Sequence, residues 1–424
     1  MPKGKRKGKY EHRRTEQGSS SDEDMGIDMA IDNISENSVQ SDLRSNHEEA
    51  DNEAQEKFEE KVLELVETLN SRANAARAAA FSSLRSALQR RPLSHVLSGH
   101  RATLADHVSK ALRRGKDGEK RAAAAVANLL ALQIGEEGVE EYVQEIRPAL
   151  LVAALDRGAT LETRVDACNA LTALCYMLEE DITEVLEIMK SYETIFSGSY
   201  LKGDGSVKVS GPAISEGTWH AAALDGWALL LTLLSPAHAR DMLPELRRLS
   251  ELLAAPTVEV RMAAGTALAL VYERMTADSP ADRDIEAEVE RALPLLEELA
   301  RDSHKYRAKK ERKAQRATFR DILKYLEEDV VPSEVIRVGK ESVRCSTWRE
   351  VAGYSAVAGA LGGALPVLAG GPALRAVLGL PDLPPAPRRA ATRLERQLQN
   401  AATCKARTVA RNKNRDKRSA ALTM

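Results

Sequence analysis

An all-α fold is what this sequence predicts, and three observations carry the prediction. Alanine and leucine dominate its apolar positions, whereas aromatics make up only 4% of the chain, with four Phe in all. Both favoured residues lose little side-chain freedom in a helix. Runs of β-branched residues alternating with period two, the mark of a strand, are nearly absent. Finally, an arginine-led phrase returns every forty-odd residues with small residues at helical spacing.

Along the chain, residues 1–55 are predicted to lack fixed structure, being rich in Ser, Asn, Asp and Glu and too poor in apolar surface to offset the entropy of ordering. Charge is segregated there: residues 1–14 carry seven Lys/Arg against one acid, and residues 15–60 carry two against fifteen. Within this tail, Ser19-Ser20-Ser21-Asp22-Glu23-Asp24 resembles a site for an acid-directed kinase. From residue 56 the pattern turns helical. Phe58, Val62, Leu65, Val66 and Leu69 fall at i, i+4, i+7, i+8 and i+11, a stripe that faces a core.

The recurring phrase is Arg-x-x-Ala-x-x-Ala-Leu with variations. It reads Arg77, Ala80, Ser83, Leu84, then Arg121, Ala124, Ala127, Asn128, then Arg164, Ala167, Ala170, Leu171, and later Arg261, Ala264, Ala267, Leu268. The first three arginines are 44 and 43 residues apart and the last two 97, with a degenerate copy between them at His220, Ala223, Gly226 and Trp227. A period in the low forties with two helices per unit is the signature of HEAT or armadillo-type repeats. Small residues at i, i+3 and i+6 let neighbouring helices approach closely, and no unit can bury its apolar face alone. The extra length before the fourth copy is explained by the Gly/Ser-rich residues 198–217, expected to form a surface loop with a turn at Asp204-Gly205.

Beyond the repeats, residues 351–374 contain no charge and are long enough to span a bilayer. Their Ala/Gly content, Pro366 and two Gly-Gly pairs give weak hydrophobic drive, so a helical cap on the array is expected rather than a membrane segment. The Pro-rich residues 381–387 are expected to be a stiff connector. The predicted fold class is thus all-α: a HEAT/armadillo-like helical repeat solenoid with a small C-terminal helical domain and a basic C-terminal tail. The expected divisions are a disordered tail at 1–55, the repeat domain at 56–327, the small domain and connector at 328–387, and a basic tail helix at 388–424.

Motifs for catalysis are missing. The eight histidines are scattered, none in HExxH or beside a Ser/Asp pair that suggests a triad, and no phosphate-binding loop follows a strand. His220 and Asp225, five apart, point to different sides of a helix. The four cysteines (Cys168, Cys175, Cys345 and Cys404) show no CxxC pair, and Cys168 and Cys175 are expected to pack in the core of one helix. No enzymatic activity, cofactor, metal site or small-molecule substrate is expected. The N-terminus lacks an apolar stretch after its basic start, so a reducing, intracellular location is expected.

What remains is positive charge on helices. Residues 301–320 hold nine Lys/Arg against two acids. Lys305, Lys309, Arg312, Arg316 and Arg320 form one stripe, broadened by Arg307, Lys310 and Lys313, while Phe319, Ile322, Leu323 and Leu326 anchor the same helix. Residues 388–418 hold eleven Lys/Arg against two acids. There Arg407, Arg411, Arg415 and Arg418 form a stripe and Lys405, Lys413 and Lys417 cover other sides. Such a helix is marginal alone and is expected to order on a polyanion. A nuclear-import signal is the competing reading of the same residues.

These segments resemble the interferon-related developmental regulator family. The resemblance lies in RATLADHVSKALRRGKDGEKRAAAAVANLLALQIG (101–135), YETIFSGSYLKG (192–203), DSHKYRAKKERKAQRATFRDIL (302–323) and NAATCKARTVARNKNRDKR (400–418), and it spans roughly residues 56–424. It implies a HEAT-like domain followed by a smaller C-terminal domain, without enzymatic activity. It further implies a regulator of gene expression, either on translationally inactive ribosomes, with a C-terminal helix in the mRNA path, or as a transcriptional co-regulator with deacetylase-containing complexes. The expected partners are therefore the ribosome and its rRNA, with transcriptional co-repressor proteins as the alternative, in cytoplasm and nucleus and without a membrane. The sequence departs most from the family pattern at 351–390.

Overall fold

The computed structural model describes residues 44–134, 138–277, 283–301, 309–381, 383, 400–401, 403–409 and 411. The chain divides into two compact units, Met1–Glu53 and Ala54–Met424. Of the first unit, residues 44–53 are described and are helical. Of the tail expected to lack fixed structure over 1–55, residues 44–55 form the start of helix α1 (Arg44–Thr68). That stretch is polar, but its Glu, Ala and Gln residues are strong helix formers. Residues 1–43, including Ser19–Ser21, lie outside the described residues.

The second unit continues through α2 (Asn74–Leu88), α3 (Ser94–Leu97), α4 (Arg101–Arg114), α5 (Asp117–Ala131), α6 (Val139–Leu155), α7 (Leu161–Leu178) and α8 (Ile182–Phe196). After the loop come α9 (Pro212–Ser215), α10 (Gly217–Leu231), α11 (Pro236–Asp241), α12 (Leu246–Glu251), α13 (Val258–Thr276), α14 (Arg283–Arg301) and α15 (Lys309–Glu328). Helices α2, α5, α7, α10, α13 and α15 pack each on the next to form one row. Helices α4, α6, α8, α12 and α14 back that row as a second layer. This is the stacked arrangement that the repeat demanded.

Each copy of the phrase opens a helix of the first row, and its alanines sit between layers: Ala124, Ala167 and Ala264 are 3%, 1% and 0% exposed. The arginines tie successive repeats together. Arg77 grips Glu119 of the next repeat through Nε and Nη2 at 2.6 and 2.8 Å, Arg121 meets Asp166 at 2.6 Å, and Arg164 meets Glu216 at 2.9 Å. Arg164 also lies over the Trp219 ring, 4.4 Å from its centroid. In the degenerate copy, His220 instead holds the start of the loop, its Nδ1 2.7 Å from Ser199 Oγ. Gly226 stands where three of the other four copies have alanine and the first has Ser83; a Cβ there would clash with Thr172 Oγ1. The loop turns at Asp204-Gly205 as expected, Gly205 having φ 74° and Asp204 accepting from the Ser206 N–H.

After α15 the chain departs from the purely helical expectation. Strands β1 (Glu334–Val338) and β2 (Glu341–Cys345) pair antiparallel around Gly339-Lys340, with Gly339 at φ 62°. Val338, Val343 and Cys345 are buried. Five-residue strands with mixed charge were too short to stand out in an alanine-rich chain. Helix α16 (Trp348–Leu361) follows, then α17 (Leu365–Leu368) and α18 (Pro372–Val377). Arg375 anchors this region, forking onto Glu341 at 2.7 and 3.0 Å.

Residues Trp348–Leu368 are apolar and long enough to cross a membrane. In the structure α16 lies across α5, α7, α10 and α13, burying Trp348, Gly353, Val357 and Leu361. Gly353 is required there: a Cβ would fall 2.2 Å from the Tyr176 hydroxyl. The Ala/Gly composition thus lets a helix lie close against the first row.

Candidate nucleic-acid interface

Helix α15 is built as an anchored helix with a cationic start. Phe319 and Ile322 are fully buried, pressed against Gly265 of α13, where an added Cβ would meet them at 2.8 and 2.9 Å. Tyr325 joins them in the core, while Leu323 and Leu326, also expected as anchors, are half-buried. Of the expected basic stripe, Lys309, Lys310 and Arg312 lie in the first turn of α15. Lys313 and Arg320 are exposed, and Arg316 between them is half-buried and partnered. Lys305 and Arg307 lie outside the described residues.

The tail is helical at residues 400–401, 403–409 and 411. Arg407 and Arg411, one turn apart, are both exposed, whereas Ala406 and Val409 are half-buried. Lys405 is turned to the array, its Nζ 2.6 Å from Oε1 of Glu67 at the end of α1. Its charge is also felt by His100 and His107 on the neighbouring α4 region. Burial first holds both imidazoles below the ordinary histidine value, helped by the Lys405 charge at His100 and by Lys110 and then Lys405 at His107. Lys413, Arg415, Lys417 and Arg418 lie outside the described residues. The two basic elements therefore occupy different places: α15 packs on α13 and α14, and the tail pairs with α1.

Sequence reasoning missed a third surface. Between α16 and the first row lies a cleft of about 750 Å³, lined on one side by Asn128, Asp166, Asn169 and Asp225 and on the other by small residues of α16. Asp225 reaches solvent in this cleft, yet protein crowds it on most sides, and the loss of water raises its carboxyl to about 7. His220, on the opposite side of α10 as the spacing indicated, is buried in the core, and that burial lowers its imidazole to about 4. Cys168 and Cys175 are buried as expected. Among the described residues no three His, Cys, Asp or Glu side chains group as a metal site.

Comparison with known proteins bears on what these surfaces serve. The family model described as Interferon-related developmental regulator matches residues 31–327, and a second, Interferon-related protein conserved region, matches residues 372–419. Interferon-related developmental regulator 1 of Sus scrofa is 35% identical over 354 residues, covering 81% of this chain and 77% of its own. The Homo sapiens protein of that name is 34% identical over 359 residues, with the same shares. Interferon-related developmental regulator 2 of Mus musculus is 36% identical over 351 residues, covering 81% of this chain and 78% of its own. The second matched region takes in the basic residues 388–418 of the tail, and the first reaches the last turn of α15, so both cationic segments fall within the shared sequence. With family models covering most of its length and relatives named as regulators rather than enzymes, this chain belongs to the interferon-related developmental regulator family.

Proposed function

We propose that this protein is a non-enzymatic regulator of gene expression that acts on the ribosome, its basic tail helix occupying an RNA path. The observation that carries the reading is the exposed pair Arg407 and Arg411 on a helical tail whose other side rests on the array through Lys405 and Glu67. A helix held at one side and cationic on the other presents its charge to phosphate without first paying the full cost of ordering. Lys313 and Arg320 of α15 supply a second contact with a polyanion, continued by Lys305, Arg307, Lys309, Lys310 and Arg312 in sequence. The array is the rigid body that sets where these elements point.

On this reading α16 is a packed part of the protein rather than a membrane anchor, and the protein works in the cytoplasm, with nuclear entry through the same basic residues. The alternative role, a nuclear scaffold for co-repressor proteins, gains its own support from the cleft beneath α16, whose lining is richer in carboxylates than in basic side chains. Sedimentation of cell extract through a sucrose gradient separates the two. The ribosomal reading expects the protein with 80S monosomes and its release by moderate salt; a protein that stays at the top of the gradient at low salt sinks it.

A further inference from the structure

We propose that the cleft between α16 and the first helix row is a docking site for an extended, arginine- or lysine-bearing peptide of a protein partner. The cleft is polar where it is deepest. Asn128, 2% exposed, donates through Nδ2 to the Ala170 carbonyl at 3.1 Å, but its Oδ1 is buried without a partner. The Trp348 Nε1 on the facing helix is buried and unpartnered as well. Buried polar atoms are nearly always satisfied, so such pairs mark where a ligand or water belongs. An extended backbone, with a donor and an acceptor at each residue, answers both.

Charge selects the side chains. Asp225, Asp321 and Glu334 line the cleft, and no hydrogen bond or ion pair holds any of them among the described residues. Of the two arginines that line the cleft, Arg121 is committed to Asp166 at 2.6 Å, which leaves Arg85 alone against the three carboxylates. The uncommitted carboxylates attract a cation and repel phosphate, so this surface is unsuited to the RNA that the tail would meet. At about 750 Å³ the cleft lies in the ordinary size range of ligand sites, roughly 300–1,000 Å³.

Spacing favours an extended occupant. The cleft runs across four successive helices of the row, from Asp166 on α7 past Asp225 on α10 and Thr266 on α13 to Asp321 on α15. Packed helices stand about 8–10 Å apart, and a polyproline II chain advances about 9 Å in its three-residue turn. A residue at every third position therefore meets each successive helix, and cations six residues apart reach Asp225 and Asp321 on either side of α13. The α16 wall leaves the room: Gly359 lines the cleft with nothing within 4 Å of an added Cβ.

The test uses the full chain and a fluorescein-labelled nonapeptide of three Arg-Pro-Pro units, with citrulline in place of arginine as the control. Fluorescence anisotropy is expected to show saturable binding of the arginine peptide alone, weakened about tenfold by Asp225→Asn and again by Asp321→Asn, as for loss of charge-assisted hydrogen bonds. Gly359→Leu, which improves helix propensity, is expected to block the cleft while circular dichroism stays native. Equal binding of the citrulline peptide, or binding untouched by both the aspartate variants and Gly359→Leu, overturns the assignment. Competition by oligouridylate with unchanged sensitivity to the tail arginines alone does the same. If replacing Arg388, Arg389, Arg393 and Arg396 by Ser strengthens probe binding tenfold or more, the occupant is the chain's own segment and the partner assignment falls.

Discussion

The carboxylate of Glu273 on α13 accepts the backbone N–H of Trp348 at 2.6 Å, and its other oxygen takes that of Arg349 at 2.9 Å. The opening of α16 is thus capped from the array as well as by its own Thr347, whose Oγ1 accepts from the Glu350 N–H at 3.1 Å. A carboxylate there satisfies two orphan donors and faces the positive end of the helix dipole. Burial raises the Glu273 carboxyl above its ordinary range, with the two N–H groups opposing that shift.

Glu273→Ala is therefore expected to lower stability by about 1–2 kcal/mol, the usual cost of losing a helix cap. Hydrogen exchange resolves where. Amides of α16 should exchange faster in the variant while those of α7 and α10 keep their protection. Unchanged protection across residues 348–361 would show that packing alone holds α16 in place.

Asp225 gives a pH dependence of defined sign. Its carboxyl stands at about 7 in the fold because the crowded cleft disfavours the charge, against about 3.9 in an unfolded chain. Between those values the folded state holds the extra proton, so this group's contribution falls as pH rises from about 4 to about 7. Asp225→Asn should raise the melting temperature at pH 8 and leave it unchanged near pH 4. The gain is about 1 kcal/mol after discounting for solvent that reaches the side chain. A constant offset at every pH would mean that ionisation of Asp225 carries no stability cost.

Ala167 tests the repeat itself. It is 1% exposed at the contact between helices of the row. Ala167→Leu is expected to cost about 1–3 kcal/mol through overpacking, measured as a lower midpoint in urea with an unchanged slope. A neutral result would mean the layers are looser than these burials indicate.

Position 167 also shows how far the sequence could be read. Its place in the arginine-led phrase marked it as a contact residue, because that phrase repeats a local requirement: an ion pair at the helix start and small residues behind it. The hairpin at 334–345 gave no comparable signal, since Glu, Arg and Ser occupy half of its strand positions. The seat of α16 was unreadable for another reason. Small residues look like weak hydrophobics in isolation, and only the Tyr176 hydroxyl facing Gly353 shows that close approach is their purpose. The basic residues announced their chemistry, but the pairing of Lys405 with Glu67, 338 positions away, is a product of the tertiary fold.

That pairing shapes what the tail should do on RNA. An exposed ion pair contributes at most about 1 kcal/mol, so Glu67 orients the tail without withholding it, and Glu67→Ala is expected to change ribosome association by severalfold at most. The arginines carry the load. Residues 405–418 contain seven Lys/Arg against Asp416 alone. Each phosphate contact on a single strand steepens the log–log dependence of affinity on salt by about 0.7. Engagement of all seven cations gives a slope near −5. Changing Arg407, Arg411, Arg415 and Arg418 to Glu should abolish co-sedimentation with monosomes at physiological salt, while circular dichroism still reports a folded array. Lys405→Arg and Lys413→Arg should bind as the unmodified protein does if charge alone is read. Should the four-Glu variant remain on ribosomes, the anchor is elsewhere. Charge reversal at Lys313 and Arg320 would then ask whether α15 supplies it.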